Sequence, residues 1–333
     1  MNLVTGATGL VGMHIAIDLL KKDEKVKATY TNPNNIEKVK KVFIHYEIEH
    51  LFNKIDWIEM DLEDITQVYE AVKGMDYVYH SAAVVSFNKK DRKRLMNINV
   101  KGTANIVNAC IDEKIKKLGF ISSVAAIGRS GNGNYSETNK WVESNDNSYY
   151  AISKFKAENE VWRGIEEGLN AVITNPGIII GPSNWNRSST TIFKQIHKGL
   201  SFFPEGKNGF VDARDVSKSI VNLVKSNIRS ERFIIVGDNL FYKEIFQKIA
   251  EKLKVKKPSK KASRTMLEIA WRIVAIKCFI TRKNPGLTKE TARTSSKINI
   301  YDNQKIKTKL EYEFYTLDEA IDNTSKFILK TYC

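Results

Sequence analysis

The chain has 333 residues, of which 42% are hydrophobic, 27% charged and 10% aromatic, enough for a large buried core and unlike a disordered or collagenous composition. Its three cysteines, Cys110, Cys278 and Cys333, lie far apart with no CxxC pair, so neither a disulfide framework nor a metal site is expected, and a reducing compartment is the natural reading. The formal charge of +15 is regional: residues 251–310 hold 17 Lys/Arg against four acids, only 12 of all 53 basic residues are Arg, and without a nucleic-acid-binding module this reads as a Lys-rich solvated surface with no nucleic-acid partner.

Met1-Asn2-Leu3-Val4 already reads as a strand running into a glycine loop, which leaves no room for a signal peptide. No segment reaches the roughly 18 apolar residues of a membrane span, and a cytoplasmic location is expected. Short β-branched runs predict strands at Leu3–Thr5, Val26–Thr29, Asp56–Met60, Tyr77–His80, Leu118–Ser122, Ala171–Thr174 and Phe233–Val236. Helical patterns fall near 11–22, 64–73, 90–113 and 149–168. The alternation predicts right-handed βαβ units and an α/β fold, a Rossmann-type doubly wound parallel sheet. After about 180 the rhythm breaks into loops and helices near 242–254, 265–281 and 317–329. The expected division is residues 1–180 as the sheet domain, completed by residues near 210–240, and 181–333 as a smaller, mainly helical lobe for a substrate.

Between the first strand and its helix lies Thr5-Gly6-Ala7-Thr8-Gly9-Leu10-Val11-Gly12. In a GxxGxxG turn of this kind Gly6 permits the tight bend, Gly9 lets a pyrophosphate approach the backbone, and Gly12 lets helix and strand pack closely, while free amides at the helix start hold the phosphates. An isolated glycine motif could be only a tight turn, but its place between strand and helix points to a dinucleotide. The second strand ends in Tyr30-Thr31-Asn32-Pro33, with no acid before Glu37 and with Lys38, Lys40 and Lys41 following. An acid there would bind a free ribose hydroxyl and a cation a 2′-phosphate, so NADP is favoured over NAD, with Thr31 and Lys38 at the discriminating position.

Tyr150 and Lys154 stand four apart in a helical pattern and share one face. An ammonium there can lower a phenol pKa from about 10 and equip it for proton exchange with an alcohol or ketone. Ser122-Ser123 ends a predicted strand where a hydroxyl could hold the substrate oxygen, and Asn99 is placed to carry a relay water.

At these residues the chain resembles the extended short-chain dehydrogenase/reductases, the NAD-dependent epimerase/dehydratase family. The glycine loop at 5–12, Asp61-Leu62, His80-Ser81-Ala82-Ala83, Asn99 with Gly102, Ser122-Ser123 with Gly128, Tyr150 with Lys154, and Pro176-Gly177 with Gly181-Pro182 carry the likeness, with Phe210–Val216 and Tyr301–Leu310 as C-terminal landmarks. The resemblance implies Tyr150 as acid/base, Lys154 as its electrostatic partner and ribose contact, Asn99 on a relay, and Ser123 rather than Ser122 as the catalytic hydroxyl. It further implies cofactor contacts from Gly6, Thr8, Gly9, Leu10, Val11, Gly12, Asp61 (on the adenine amine), Leu62, Ala82 and Ala83, with Pro176-Gly177 facing the nicotinamide. Family members often dimerise through the helix carrying Tyr150 and the one near 90–113, and a homodimer is expected here.

Departures locate the branch. Ser123-Val124-Ala125 lacks the carboxylate of the sugar-nucleotide dehydratases, and Ile178-Ile179-Ile180 stands where epimerases commonly carry an Asn before Gly-Pro. The Ile run could equally be a buried parallel strand. With the apolar Val84-Val85-Ser86-Phe87, these features resemble the dihydroflavonol-4-reductase-like and 3β-hydroxysteroid-dehydrogenase-like branch. The function read from them is oxidoreduction of an apolar ketone/alcohol pair, with a sugar-nucleotide epimerase and a non-catalytic cofactor-sensing protein as alternatives. Met266–Ile280 is apolar on more sides than packing requires and is flanked by Lys260, Lys261, Arg264, Arg282 and Lys283. It is either a buried helix or substrate lid, or a peripheral membrane contact spanning residues 260–283.

Overall fold

A computed structural model describes residues 1–128, 132–144, 147–186, 189–281 and 287–333. Seven parallel strands form the central sheet: β1 (Asn2–Thr5), β2 (Val26–Tyr30), β3 (Ile55–Glu59), β4 (Tyr77–His80), β5 (Lys117–Ile121), β6 (Ala171–Pro176) and β7 (Glu231–Ile235). Their order is β7-β6-β5-β4-β1-β2-β3. The chain builds outward from β1 to β3 and then returns to the other side at β4, so the switch in winding direction lies between β1 and β4. Ligand crevices open at such a point, beyond the carboxyl ends of the strands.

Alternate residues of each strand feed two cores. Leu3, Val78, Phe120 and Ile173 face one side with α3 (Ile65–Val72), α4 (Gly102–Asp112) and α5 (Tyr149–Glu166). Val4, Tyr79, Ile121 and Val172 face the other, against α1 (Leu10–Lys21) and α6 (Ala213–Lys225). This is why the strands read as continuous apolar runs. The expected helix over 90–113 is real but composite: a short α segment at Arg92–Leu95, a π turn at Met96–Lys101, then α4. A π turn widens the helix by one residue and recurs at functional sites; Asn99 sits in this one.

The region after 180 departs from the expected run of loops and helices. Lys207–Asp212 pairs in parallel with Ile178–Ile180 and antiparallel with Asp238–Phe241, forming a second small sheet. Residues 213–235 then return to the central sheet as α6 and the edge strand β7. The Ile run is thus strand: Ile180 is 2% exposed, and Ile178 and Ile179 pack against the core. Buried Asp212 caps α6 and is gripped by the Arg214 guanidinium. Asp215 behind it accepts hydrogen bonds from the Tyr312 hydroxyl and the Tyr315 amide; burial, then the nearby Asp212, push it up to about 7. The last helix, α8 (Leu317–Tyr332), is tied to the first domain where the Asn323 amide donates to Tyr46. No described helix is long and apolar enough to cross a membrane.

Candidate active site

The glycine turn closes around the switch point. Gly6 has φ +65°, and a Cβ there would stand 2.6 Å from the Ala82 Cα; only glycine fits both the conformation and the approach. A Cβ on Gly12 would lie 2.4 Å from the Gly6 carbonyl oxygen. Gly9 is the N-cap of α1, with no side chain bonded to the helix start and no acid in its first turn. The first amides of α1 therefore have no carbonyl behind them and face the crevice with the positive end of the helix dipole. Thr8, Leu10 and Val11 are half-buried around an exposed Gly9. This cradle has the shape and donor set for a pyrophosphate. Replacing Gly12 with Ala should lower dinucleotide affinity at least about tenfold and destabilise the fold, since the clash is with backbone that cannot rotate away; a fluorescence titration beside a urea melt checks both.

Beneath the cradle, the fully buried His80 bonds Thr5 through Nδ1 at 2.7 Å and Thr103 through Nε2 at 3.1 Å. Burial holds its pKa down near about 3, so the ring is a neutral strut. The Ala82 amide donates to the Thr5 hydroxyl, locking the loop after β4 beside Gly6, with Ala83 exposed next to it. Thr31 is exposed at the end of β2, and the Lys38 ammonium reaches back to Asn35 Oδ1 at 2.8 Å. Asp61 is exposed after β3, one carboxylate oxygen accepting from the Glu63 amide. Leu62 is buried against Gly102, where a Cβ would lie 2.7 Å from it. Pro176 is buried at the end of β6, and the Gly177 amide donates to Ile235 while any Cβ would strike the Gly209 carbonyl.

The second cluster lies at the ends of β5 and α5. Ser148 caps α5 by accepting from the Ala151 amide, which sets Tyr150 in the first turn and Lys154 one turn on. Tyr150 is hydrogen-bonded to Ser123; burial, the larger influence, raises the phenol pKa and the Ser123 bond opposes it. Ser123 also accepts from the Ala125 amide at 3.1 Å, which orients its hydroxyl. Lys154 is 2% exposed, donates to the Ile121 carbonyl at 2.9 Å, and lies 4.6 Å from the centre of the Phe120 ring. Burial draws its pKa down to about 8, against the pull of Glu158. The lowering of the phenol pKa expected from Lys154 is thus not what governs it here: the ammonium is turned to a carbonyl, and burial keeps the phenol protonated.

Asn99 is 1% exposed. Its Oδ1 accepts from the Val84 amide at 2.7 Å, and its Nδ2 donates to the Val84 carbonyl and to Ser153 Oγ. The side chain expected on a proton relay is therefore engaged in pinning the 81–88 loop to α5. Its carbonyl accepts from Thr103.

Ser122 donates to Glu158 at 2.6 Å, whereas Ser123 is the serine at Tyr150. Glu158 itself was not foreseen. It is 2% exposed, pairs with Arg232 at 3.0 Å, and also accepts from the Asn175 amide at 2.8 Å. Asn175 donates in addition to the carbonyl of Ser123, so the Glu158–Arg232 pair fixes Ser123 from behind. The signal was present: Tyr150, Lys154 and Glu158 are spaced by four and stack on one helical face.

A parallel doubly wound sheet with a glycine cradle at its switch point and a Ser/Tyr/Lys cluster beyond β5 defines a dinucleotide-binding α/β protein. The chain belongs to the NAD dependent epimerase/dehydratase family, whose model matches residues 2–237. It is similar to sterol demethylase protein B of Methylococcus capsulatus, at 28% identity over 254 residues covering 75% of this chain and 74% of that protein. It is also similar to tetraketide alpha-pyrone reductase 2 of Arabidopsis thaliana, at 29% identity over 265 residues covering 75% and 82%. Among solved structures, yeast methylglyoxal/isovaleraldehyde reductase Gre2, complexed with NADPH, superposes with a TM-score of 0.74 at 21% identity, over 99% of this chain and 98% of that one.

Proposed function

We propose that the protein is an NADP-dependent oxidoreductase of an apolar ketone/alcohol pair, working as a homodimer through α4 and α5. One observation carries the substrate class. The Phe87 ring stands edge-on to the Tyr150 ring, with centroids 5.5 Å apart, and remains 38% exposed beside Val85 at 50%. The approach to the phenol is therefore walled on this side by apolar surface. The two relatives, a sterol demethylase protein and a tetraketide pyrone reductase, favour the same class.

In this reading Ser123 donates to the substrate carbonyl oxygen and aligns it with Tyr150, which gives up its proton as that oxygen becomes an alkoxide. Bound nicotinamide supplies the hydride at the carbonyl carbon. Lys154 holds the ribose and stabilises the phenolate once the proton has left. Asn99 acts as a positioning residue for the apolar loop. A phenol kept protonated by burial is in the form that donates to a carbonyl oxygen.

The choice of NADP rests on Thr31, Asn32 and Lys38, which offer no carboxylate to a ribose hydroxyl. Thr31→Asp should shift the NADPH/NADH preference by at least about tenfold towards NADH through charge repulsion at the 2′-phosphate, read as the ratio of kcat/KM values. The functional test is oxidation of NADPH and NADH against aryl and aliphatic ketones, keto-steroids, flavonoid-like carbonyls and sugar nucleotides. NADPH consumption with apolar carbonyls supports the proposal. Sugar-nucleotide interconversion without net cofactor consumption would make the protein an epimerase, and cofactor binding with no turnover a sensor.

A further inference from the structure

The helix α7 (Arg264–Thr281) has an apolar face left exposed among the described residues. Leu267, Trp271, Val274 and Cys278 are half-buried on its inner side. Met266, Ile269, Ile273 and Ile276 point the other way and are 43%, 55%, 61% and 63% exposed. At 100° per residue these four fall within about 80° of the helix circumference, a continuous stripe along a convex surface. The helix is therefore not the fully buried element that its sequence allowed.

Charge decides what the stripe meets. Lys260 and Arg264, before and at the start of the helix, and Lys289, on the short helix packed against it, are exposed, and the segment 251–310 carries 17 basic residues against four acids. Of those acids, Glu268 is already committed to Arg272 and Arg293. A second copy of the chain would bring two strongly basic surfaces together, which repels. A bilayer rich in anionic lipid supplies both an apolar layer for the isoleucines and negative charge for the cations. Phe202, 39% exposed on the strand beside Lys260–Ala262, extends the apolar patch.

We propose that α7 seats the protein on an anionic membrane surface, with Met266, Ile269, Ile273 and Ile276 in the interface and Lys260 and Arg264 at the headgroups. Trp271 is not part of the contact: its indole donates to Glu268 on the inner side. Arg282 and Lys283 and the side chains of Lys277, Phe279 and Ile280 lie outside the described residues, and the proposal does not use them. It is independent of the catalytic reading, because its readout is binding and not turnover.

The test is flotation of the purified full chain with vesicles of phosphatidylcholine containing phosphatidylglycerol, and with phosphatidylcholine alone. Wild type should float with the anionic vesicles, lose binding in high salt, and float poorly with neutral ones. Ile269→Gln/Ile273→Gln and Lys260→Glu/Arg264→Glu, all at exposed positions, should each weaken anionic-vesicle binding on the order of tenfold while far-UV circular dichroism is unchanged. No flotation, equal recovery on neutral vesicles, or full binding by the isoleucine variant would each overturn the proposal. If that variant instead changes the mass in solution without affecting vesicles, the stripe belongs to a contact between copies.

Discussion

Tyr150→Phe should leave dinucleotide affinity within about twofold of wild type and lower turnover by about 10²–10⁴-fold, the usual worth of a positioned proton donor. The substitution removes one oxygen from a ring whose edge-to-face contact with Phe87 remains, so folding should be unaffected. What is lost is the hydroxyl bonded to Ser123, the one acidic proton placed beside the hydroxyl that would receive the substrate oxygen. Lys154→Met should behave differently, losing cofactor affinity as well as rate, because its ammonium, held at the Ile121 carbonyl, lies where the ribose would be met. Wild-type reduction should stay flat through neutral pH and fall only on the alkaline side, since burial raises the phenol pKa and the donor is spent only above it. Initial-rate kinetics with cofactor titrations separate these effects. A fully active Tyr150→Phe enzyme would end the mechanism.

Glu158→Ala should cost about 3–5 kcal/mol of stability, among the largest effects a single side chain can have here. Its carboxylate is the acceptor for Ser122, Asn175 and Arg232, and Asn175 in turn donates to the carbonyl of Ser123. Deleting it leaves the Arg232 guanidinium, 19% exposed, with one side uncompensated, and strips two buried donors of their partner. Adding Arg232→Met to the same chain should recover part of the loss, because an unpaired buried charge costs more than an absent pair. Urea denaturation of the two single variants and the double variant measures the coupling. Additive losses would mean that the pair does not act as a unit. Catalysis should decline alongside, since Asn175 also holds the carbonyl of Ser123 and would no longer be anchored.

All seven central strands were legible in the sequence as short runs rich in apolar residues and mostly buried; the edge strand β3, with Asp56 and Glu59 exposed, is the least buried of them. The helices after the first, third, fourth and fifth central strands were legible because the sheet forces one after almost every strand, whereas Ile36–His45, Thr190–His197 and Ala213–Lys225 were not. The glycine cradle could be read for a similar reason: Gly6 and Gly12 answer local backbone demands that leave a mark at fixed spacing. The second sheet was not legible. Lys207-Asn208-Gly209 and Asp238-Asn239 are polar and glycine-containing stretches whose strand conformation comes from pairing with each other, and propensity does not register long-range pairing. The π turn around Asn99 escaped for the same reason, as its hydrogen bonds to Val84 and Ser153 come from distant parts of the chain. Glu158 and Arg232 are 74 residues apart, and only the fold shows that they meet. The sequence left α7 open between a buried helix or lid and a surface contact, because an apolar helix reads the same whether covered or not.

The measurement that bears most directly on the proposed function is isotope transfer from NADPH carrying deuterium at both C4 positions of the nicotinamide, using a ketone that the enzyme consumes. The account predicts net NADPH oxidation with one deuterium at the carbinol carbon for each cofactor consumed, and loss of that transfer in Tyr150→Phe. Substrate turnover with no net cofactor oxidation, or product without label, would contradict it.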